Sequence, residues 1–386
     1  MRKFYTAEAV TEGHPDKLCD QIADAILDVC LKNDENSRVA CEVLATKGNI
    51  IVAGEITSAY EPDVFAVVRK VLSDIGYSSE GIAMDTFVHQ QSPDIAGAVD
   101  TSKERREGVY DNQMDWFQGA GDQGVMIGYA CDETKQLMPM PVVLANRIVR
   151  ELSACRQSSY IQEILPDGKA QVTVEYENGK PVRLDSVVVS CQHTENKNLK
   201  KLEAEIRKKV LLPALRLLPP DEDTKILINP SGRFVCGGMD ADTGLTGRKL
   251  MVDSYGSMVP HGGGAFSGKD CSKVDRSAAY MARYIAKNIV AAGLARKCQV
   301  SLAYAIGVAQ PVMVQVDTFG TGKVCADDCL ELAIPLVFGL TPKQIVDSLR
   351  LTRPIFRQTA AFGHFGRKEF PWERTDKVEA LRNAVI

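Results

Sequence analysis

The chain has 386 residues, of which 45% are hydrophobic and 25% are charged. This composition is typical of a folded globular protein and excludes a disordered or fibrous chain. The 46 basic and 50 acidic residues give a net charge of -4, so no overall charge attracts the chain to nucleic acid or to an anionic membrane. Any phosphate-binding site must therefore be a local cluster of cations.

The N-terminus and the cysteines favour a cytoplasmic protein. Residues 1–10 contain no apolar signal segment, and no apolar stretch is long enough to span a bilayer. The 11 cysteines and 5 histidines are scattered without a C-x-x-C pair, so we expect reduced thiols and no zinc site. At about 100 to 200 residues per domain, the length predicts two or three domains.

A pattern of a helix, two alternating strands and a second helix occurs three times along the chain. The first copy predicts a helix over 15–32, strands over 38–46 and 50–57, and a helix over 62–75. Pro15 stands at the usual first position of a helix, and Gly76 is placed to end the second helix. Lys47-Gly48 predicts the turn between the two strands.

The second and third copies repeat this order. The second predicts a helix over 140–155, strands over 171–176 and 182–190, and a helix over 199–217. Between its strands, Asn178-Gly179 is a strong hairpin signal. The third predicts a helix over 275–292, strands over 300–307 and 312–317, and helices over 326–337 and 341–351. Ser272 and Asp275 are expected to cap its first helix.

This recurrence predicts an α+β protein of three structurally similar domains, each a β-sheet covered by helices. Approximate threefold pseudosymmetry should relate them. We place an N-terminal domain at 1–100, a central domain at 112–230 and a C-terminal domain at 231–386. Residues 91–124 and 229–268 do not fit the repeat. Because residues 92–118 contain few large apolar residues and a charged run, we expect a mobile lid loop there. A surface insertion that contacts nothing is the alternative.

Two glycine-rich segments resemble nucleotide-binding motifs without satisfying them. GAGDQG at 119–124 matches G-x-G-x-x-G, but a polar loop precedes it and a strand-like segment follows, which is the wrong context for a dinucleotide fold. GGAFSGK at 263–269 matches G-x-x-x-x-G-K, yet Asp270 stands where a P-loop needs Ser or Thr. Lys269 and Lys273 beside glycines at a helix N-terminus still suit a polyphosphate. A solvated basic loop is the alternative.

Three further features carry candidate chemistry. His14 and Asp16 lie with Lys17 at the predicted start of the first helix, where they can bind phosphate and magnesium together, although Asp is common at helix starts. Arg248-Lys249 places a positive pair after a glycine turn. Glu42 and Glu55 lie on the strands of the first hairpin and face one site if those strands are in register, or are simply solvent-facing glutamates.

The chain contains EGHPDK at 12–17, GAGDQG at 119–124, GLTGRK at 244–249 and GGGAFSGKDCSKVDRSAAY at 262–280. Together these segments resemble the S-adenosylmethionine synthetase (methionine adenosyltransferase) family. The resemblance extends to GHFGR at 363–367 and FPWE at 370–373, so it spans essentially the whole chain. It implies a three-domain enzyme that makes S-adenosyl-L-methionine from ATP and L-methionine. In this reaction the methionine sulfur attacks C5′ of ATP, and the released triphosphate is hydrolysed to pyrophosphate and phosphate.

The resemblance also implies roles for individual residues. The catalytic residues would be His14, Lys169, Arg248, Lys249 and Lys269, with His14 contacting the oxygen that leaves C5′. ATP would contact His14, Asp167, Lys169, Arg233, Phe234, Asp242, Arg248, Lys249, Ala265 and Lys269. Methionine would contact Glu55, Gln91, Asp122, Asp242 and Lys273. Of two Mg²⁺ ions per site, Asp16 and Asp275 would each hold one, and Glu42 would hold K⁺.

In such enzymes each active site lies between two subunits, so the resemblance implies a homodimer, paired into a homotetramer, with no nucleic-acid or membrane partner. Two other functions remain open. A phosphotransferase or ATPase would normally carry an intact GK[ST] or the kinase H-R-D and D-F-G motifs, and the sequence has neither. A non-catalytic regulatory subunit would keep the fold and lose His14, Asp16 or Lys269, all of which are present.

Overall fold

The computed structural model describes residues 2–108 and 118–385. The strands are β1 (Arg2–Val10), β2 (Arg38–Thr46), β3 (Asn49–Thr57), β4 (Ala83–His89), β5 (Gly124–Cys131), β6 (Ile164–Glu177), β7 (Lys180–His193), β8 (Lys225–Ile228), β9 (Gly244–Leu245), β10 (Lys297–Tyr304) and β11 (Met313–Asp317). The helices are α1 (Pro15–Asn33), α2 (Val64–Ile75), α3 (Pro93–Asp100), α4 (Lys103–Arg106), α5 (Met140–Gln157), α6 (Leu199–Ile206), α7 (Leu212–Ala214), α8 (Leu250–Asp253), α9 (Val274–Ala291), α10 (Asp327–Val337), α11 (Pro342–Leu349) and α12 (Val378–Ala384).

Three sheets form, with strand orders β1-β6-β7-β8, β11-β10-β5 and β4-β3-β2-β9. Each is built around an antiparallel pair that follows a long helix: β2-β3 after α1, β6-β7 after α5 and β10-β11 after α9. The strand before each long helix pairs with a different hairpin. β1 joins β6, β5 joins β10, and β9 joins β2, each time antiparallel. The strand exchange therefore runs in a closed cycle through three repeated units.

The predicted α+β class and the three sheet-plus-helix units are confirmed. A geometric threefold axis stays a prediction. Each sheet contains strands from two of the segments 1–100, 112–230 and 231–386. The predicted domain boundaries therefore do not coincide with the boundaries of the sheets. They too stay predictions. Hydrophobic alternation indicates where a strand lies but not which strand it pairs with. The sequence therefore did not predict the exchange of strands between the repeats.

Most local signals act as predicted. Pro15 is the first residue of α1, Gly76 adopts a left-handed φ of 100° after α2, and Asn178-Gly179 form the β6-β7 turn with φ values of 50° and 76°. The predicted cap of α9 is wrong. The helix begins at Val274, and the backbone N–H of Ser272 instead donates to Asp270. The predicted helix over 199–217 is broken into α6 and α7 by the π-helical turn Arg207–Leu211.

Two long helices occupy the largest hydrophobic cluster. α1 and α9 are buried along nearly their whole length, including several charged side chains. A second cluster packs α5 against β6 and β7. In the described ranges no single helix is long and apolar enough to cross a membrane; α10 and α11 meet that test only as a pair, bent by 75°.

The first part of the predicted lid is helical and attached to the protein. α3 and α4 occupy 93–106, and the Glu104 carboxylate accepts hydrogen bonds from the backbone N–H groups of Ala309 and Gln310. The backbone N–H of Lys103 donates to Gly307. The low apolar content of this segment predicted a loop. In the structure, hydrogen bonds attach its helical part to the rest of the protein. Because 109–117 lie outside the described residues, the mobility of 92–118 stays a prediction.

We expect the contact between β5 and α9 to be intolerant of any side chain at Gly128. A Cβ there would lie 2.0 Å from the carbonyl carbon of Ala282. Gly128→Ala should therefore destabilise the fold by about 3 kcal/mol, as overpacking against backbone does. The thermal midpoint measures this change. Gly97→Ala is the control, since no described atom lies within 4 Å of its Cβ position. Equal midpoints for both variants would contradict the packing argument.

Candidate active site

His14 precedes α1 and caps its N-terminus. Its Nδ1 accepts a hydrogen bond from the backbone N–H of Asp16 at 3.2 Å, and only 3% of the residue is exposed. Burial is the main cause that lowers the His14 pKa to about 3, and the positive charges of Lys249 and Lys169 act in the same direction. The imidazole is therefore neutral at neutral pH. Because Nδ1 accepts, the proton lies on Nε2, which can donate to a ligand oxygen.

Asp16, in the first turn of α1, connects the helix to the segment that follows β9. Its Oδ1 accepts from the backbone N–H of Leu245 at 3.0 Å, and its Oδ2 accepts from Lys249 Nζ at 2.6 Å. Arg248 Nε lies 3.8 Å from Oδ1. Burial opposes ionisation, but the hydrogen bonds from Lys249 and Leu245 outweigh it and lower the Asp16 pKa. A charged carboxylate between two cations thus lies beside His14.

The helix α1 carries an aspartate at every fourth position, which places four carboxylates along one side. All four accept hydrogen bonds from backbone N–H groups of the C-terminal part of the chain. The pairs are Asp16 with Leu245 (3.0 Å), Asp20 with Gly247 (2.9 Å), Asp24 with Gly268 (2.9 Å), and Asp28 with Phe356 and Arg357 (both 2.9 Å). We call these residues the aspartate ladder. The sequence analysis missed three of its members, although their regular spacing was visible.

A second group of charges lies where the 262–270 loop meets α9. Lys269 Nζ donates to Asp275 Oδ2 at 2.5 Å, and Lys273 Nζ donates to Asp270 Oδ2 at 2.5 Å. The same Asp270 oxygen accepts from the backbone N–H of Val39 at 2.7 Å, which attaches the loop to β2. Asp270 is a site residue that the sequence analysis considered only as a departure from the P-loop motif. Its charge holds Lys273, the proposed methionine contact.

Glu42 and Glu55 lie on the same face of the β2-β3 hairpin. Glu42 is opposite Ala53 and Glu55 is opposite Ala40 in the antiparallel register, which makes the two glutamates diagonal neighbours. Glu42 interacts electrostatically with Lys269. Glu55 Oε1 lies 3.2 Å from His89 Nε2 on β4. The hairpin thus presents two carboxylates beside the second group.

Gln91 and Asp122 occupy loops near this hairpin and the start of α9. The backbone N–H of Gln91 donates to Oγ1 of Thr57, the last residue of β3, at 3.2 Å. The backbone N–H of Gly121 donates to the Ser272 carbonyl at 3.1 Å. Asp122 is half-buried and accepts from the backbone N–H of Gln123 at 2.7 Å. The 119–124 glycines therefore allow a close loop contact and do not form a dinucleotide turn.

Asp167 and Lys169 extend the first group along β6. Lys169 is opposite Val10 at the end of β1, and its charge acts on both His14 and Asp167. Asp167 Oδ2 accepts from the backbone N–H of Gly238 at 2.8 Å, whereas its buried Oδ1 has no hydrogen-bond partner within the described ranges. Burial raises the Asp167 pKa.

The remaining predicted ATP contacts lie on loops of the C-terminal segment. Phe234 is half-buried, and two hydrogen bonds join its backbone to His193. The Phe234 N–H donates to His193 Nε2, and the Phe234 carbonyl accepts from the backbone N–H of His193. Arg233 is exposed and pairs with Glu195 at 2.7 Å. Asp242 is exposed, and its backbone N–H donates to Gly238. The arginine therefore points to solvent in the single chain.

Ala265 joins the loops of the two groups. A Cβ added at Gly247 would lie 2.7 Å from the Ala265 Cβ, so the segment that precedes Arg248 packs directly on the segment that precedes Lys269. Lys169, Arg248, Asp242 and Glu42 are all exposed in the single chain. The candidate site is therefore an open surface at the N-terminus of α1 and the loops that the aspartate ladder holds.

The carboxylates of the candidate site suit Mg²⁺ that is shared with a substrate. Throughout 2–108 and 118–385, no three His, Cys, Asp or Glu side chains form a cluster able to hold a metal ion. Asp16 and Asp275 instead each present one carboxylate beside a lysine. Mg²⁺ in nucleotide sites is usually held by one or two carboxylates together with substrate phosphates and water. The residues present therefore fit Mg²⁺ bound with a polyphosphate.

Family models cover almost the whole chain. The N-terminal domain of S-adenosylmethionine synthetase matches residues 2–100, the central domain matches 117–234, and the C-terminal domain matches 236–374. The three matches follow one another in the order of the intact enzyme. They meet at the segments that separate the predicted repeats. The chain belongs to the S-adenosylmethionine synthetase family and is a methionine adenosyltransferase.

Proposed function

We propose that this enzyme forms S-adenosyl-L-methionine in one displacement at C5′ of ATP and then hydrolyses the triphosphate at the same site. The observation that carries the proposal is the buried His14, whose Nδ1 accepts from the Asp16 N–H and so leaves Nε2 to donate to a ligand, within the field of Lys249 and Lys169. In the displacement, a sulfur lone pair forms the S–C5′ bond while the C5′–O bond breaks. Its electron pair remains on the triphosphate oxygen. Water then cleaves one P–O–P bond, giving pyrophosphate and phosphate.

The residue types suit this chemistry. A thioether needs no general base, so the enzyme must align the two substrates and stabilise the negative charge on the departing oxygen. His14 would donate to that oxygen without first taking up a proton. Lys169, Arg248, Lys249 and Lys269 would neutralise the phosphates.

The family is metal dependent, and we propose two Mg²⁺ ions and one K⁺ per site. Asp16 and Asp275 would hold the Mg²⁺ ions, which neutralise phosphate charge when bound. Glu42 would hold K⁺ on the face of the first hairpin. The lysine partners of Asp16 and Asp275 place each carboxylate beside a phosphate-binding cation.

We assign the substrate contacts as follows. Phe234 would stack on adenine, with Asp167 accepting from a nucleotide donor through its free oxygen and with Arg233 and Ala265 nearby. Lys273 would bind the methionine carboxylate. Its ammonium group would be bound by the carboxylates of Glu55, Asp122 and Asp242 and by the polar side chain of Gln91. Gly121 packs on the segment that carries Lys273, which supports placing Asp122 on the methionine side.

We propose a homodimer with interfacial active sites, paired into a homotetramer. In the single chain, large apolar residues are exposed on strands of all three sheets: Phe4 on β1, Phe87 on β4, Val125 on β5 and Leu245 on β9. A second subunit packed on the sheets would bury such side chains. A second subunit on these faces would also close the open surface at Lys169 and Arg248. The eleven free cysteines favour a reducing, cytoplasmic location.

His14→Asn should slow S-adenosylmethionine formation about 100-fold, the loss expected for one transition-state donor, and leave hydrolysis of added triphosphate much less affected. Asn keeps the N-cap acceptor for α1, so the helix start is preserved. Mass spectrometry of the product and phosphate release measure the two steps. Equal losses in both steps would reassign His14 to general phosphate binding, and a parent enzyme forming no S-adenosylmethionine would refute the function.

Asp16→Asn and Asp275→Asn should each abolish or severely weaken magnesium-dependent turnover, because an amide is a poorer ligand than a carboxylate for a hard dication. The control is Asp28→Asn, on the same helix as Asp16, where the carboxylate accepts two backbone hydrogen bonds outside the site. Turnover is titrated against Mg²⁺ concentration. A similar loss in the Asp28 variant would show that general damage to α1 is responsible.

Glu42→Gln should reduce activation by K⁺ while preserving the magnesium requirement, since Gln keeps the size of the side chain and removes its charge. Rates are compared with and without KCl at saturating Mg²⁺. Glu35→Gln is the control, because Glu35 is exposed at the turn after α1. Normal potassium activation in the Glu42 variant would remove this residue from the K⁺ site.

A further inference from the structure

Arg276 and Asp24 form a buried ion pair between α9 and α1. Neither side chain has exposed surface. Arg276 Nη1 and Nη2 donate to Asp24 Oδ1 and Oδ2 at 2.6 and 2.7 Å, a bidentate geometry. Arg276 also donates to the hydroxyls of Thr359 and Tyr280, both at 3.1 Å. The pair therefore has a fixed position in the core.

The same pair binds the backbone of the candidate-site loop at two points, one on each side of the peptide bond between Gly268 and Lys269. Asp24 Oδ1 accepts from the backbone N–H of Gly268 at 2.9 Å, and Arg276 Nη1 donates to the backbone carbonyl of Lys269 at 3.1 Å. Gly268 has a φ of +82°, and a Cβ there would lie 1.9 Å from the Cys41 carbonyl oxygen. The turn that carries Lys269 is thus confined between β2 and the ion pair.

We propose that Asp24 and Arg276 are positioning residues that hold Lys269 and Asp275 in the arrangement that binds a magnesium-bound triphosphate. Asp275 directly precedes Arg276 in α9, and Lys269 binds Asp275 through its side chain. One ion pair therefore fixes the backbone of both residues. The inference rests on the proposed function, which assigns Lys269 to the triphosphate and Asp275 to Mg²⁺.

A second ion pair on α9 provides a matched control. Arg283 and Glu373 are also without exposed surface, and Arg283 Nε and Nη2 donate to the two Glu373 oxygens at 3.0 and 2.9 Å. Arg283 also donates to backbone carbonyls, but these belong to Tyr129, Gln136 and Leu137, away from the candidate site. The two arginines share a helix, complete burial and a two-point contact with a carboxylate, and they differ in the backbone carbonyls to which they donate.

The experiment compares Arg276→Lys with Arg283→Lys. Lysine keeps the charge but lacks the planar set of donors that binds carboxylate and carbonyl together. Calorimetric titration with non-hydrolysable imidotriphosphate in excess Mg²⁺ gives the dissociation constant, and thermal unfolding gives the loss of stability. Both variants should lose similar stability. Only Arg276→Lys should weaken imidotriphosphate binding, by about tenfold or more, because displacement of a binding group is costly.

Equal dissociation constants for the two variants would overturn the positioning role, even if the parent enzyme forms S-adenosylmethionine. Conversely, selective weakening in Arg276→Lys would sustain the role even if the parent enzyme formed no S-adenosylmethionine, in which case the proposed function alone fails. If Arg276→Lys does not fold, the comparison is made between Asp24→Asn/Arg276→Gln and Glu373→Gln/Arg283→Gln. The first double variant leaves no buried unpaired charge. In the second, Lys287 is also changed to Gln, because its Nζ pairs with Glu373 Oε2 at 2.7 Å and would otherwise lose its partner.

Discussion

The hydrogen bonds from C-terminal backbone N–H groups to the aspartate ladder of α1 are the interaction on which the site depends. They join a helix near the start of the chain to loops more than 200 residues later. Ionised carboxylates buried in this way are costly unless they are fully paired. Asp24 meets this requirement through the buried Arg276. Asp20 shares Lys17 with Asp253, and burial raises the Asp20 pKa. The loops are therefore held by charge-assisted bonds, which are stronger than neutral ones.

The cyclic exchange of strands explains why these bonds can form. Pairing of β9 with β2 brings the segment that carries Arg248 and Lys249 against the N-terminus of α1. Pairing of β1 with β6 brings Lys169 opposite Val10, four residues before His14. In every repeat, the strand before the long helix pairs with the hairpin of another repeat. No repeat therefore forms its complete sheet by itself. The candidate site consequently lies where segments from all three parts of the chain meet.

Local features of the fold could be predicted because they depend on neighbouring residues. The helix start at Pro15, the end at Gly76 and the turn at Asn178-Gly179 follow from backbone preferences. The partners of β1, β5 and β9 could not, because period-two alternation carries no information about pairing. Likewise, the sequence indicated Asp270 only as a departure from the P-loop motif. Its structural role, which is to accept hydrogen bonds from Lys273 and from the backbone of Val39, depends on the fold. The site roles came from whole motifs and their resemblance to a family.

Three of the four proposed substrate-binding lysines are paired with an aspartate in the single chain: Lys249 with Asp16, Lys269 with Asp275, and Lys273 with Asp270. Without these carboxylates, clustered lysines would repel one another and open the loops. The pairing keeps the cations in place at nearly zero net charge. In the proposed function, phosphate oxygens would replace the carboxylate beside Lys249 or Lys269, and Asp16 or Asp275 would then be able to hold Mg²⁺. The same two ion pairs would therefore supply groups for both the phosphates and their metal ions with little rearrangement of the backbone.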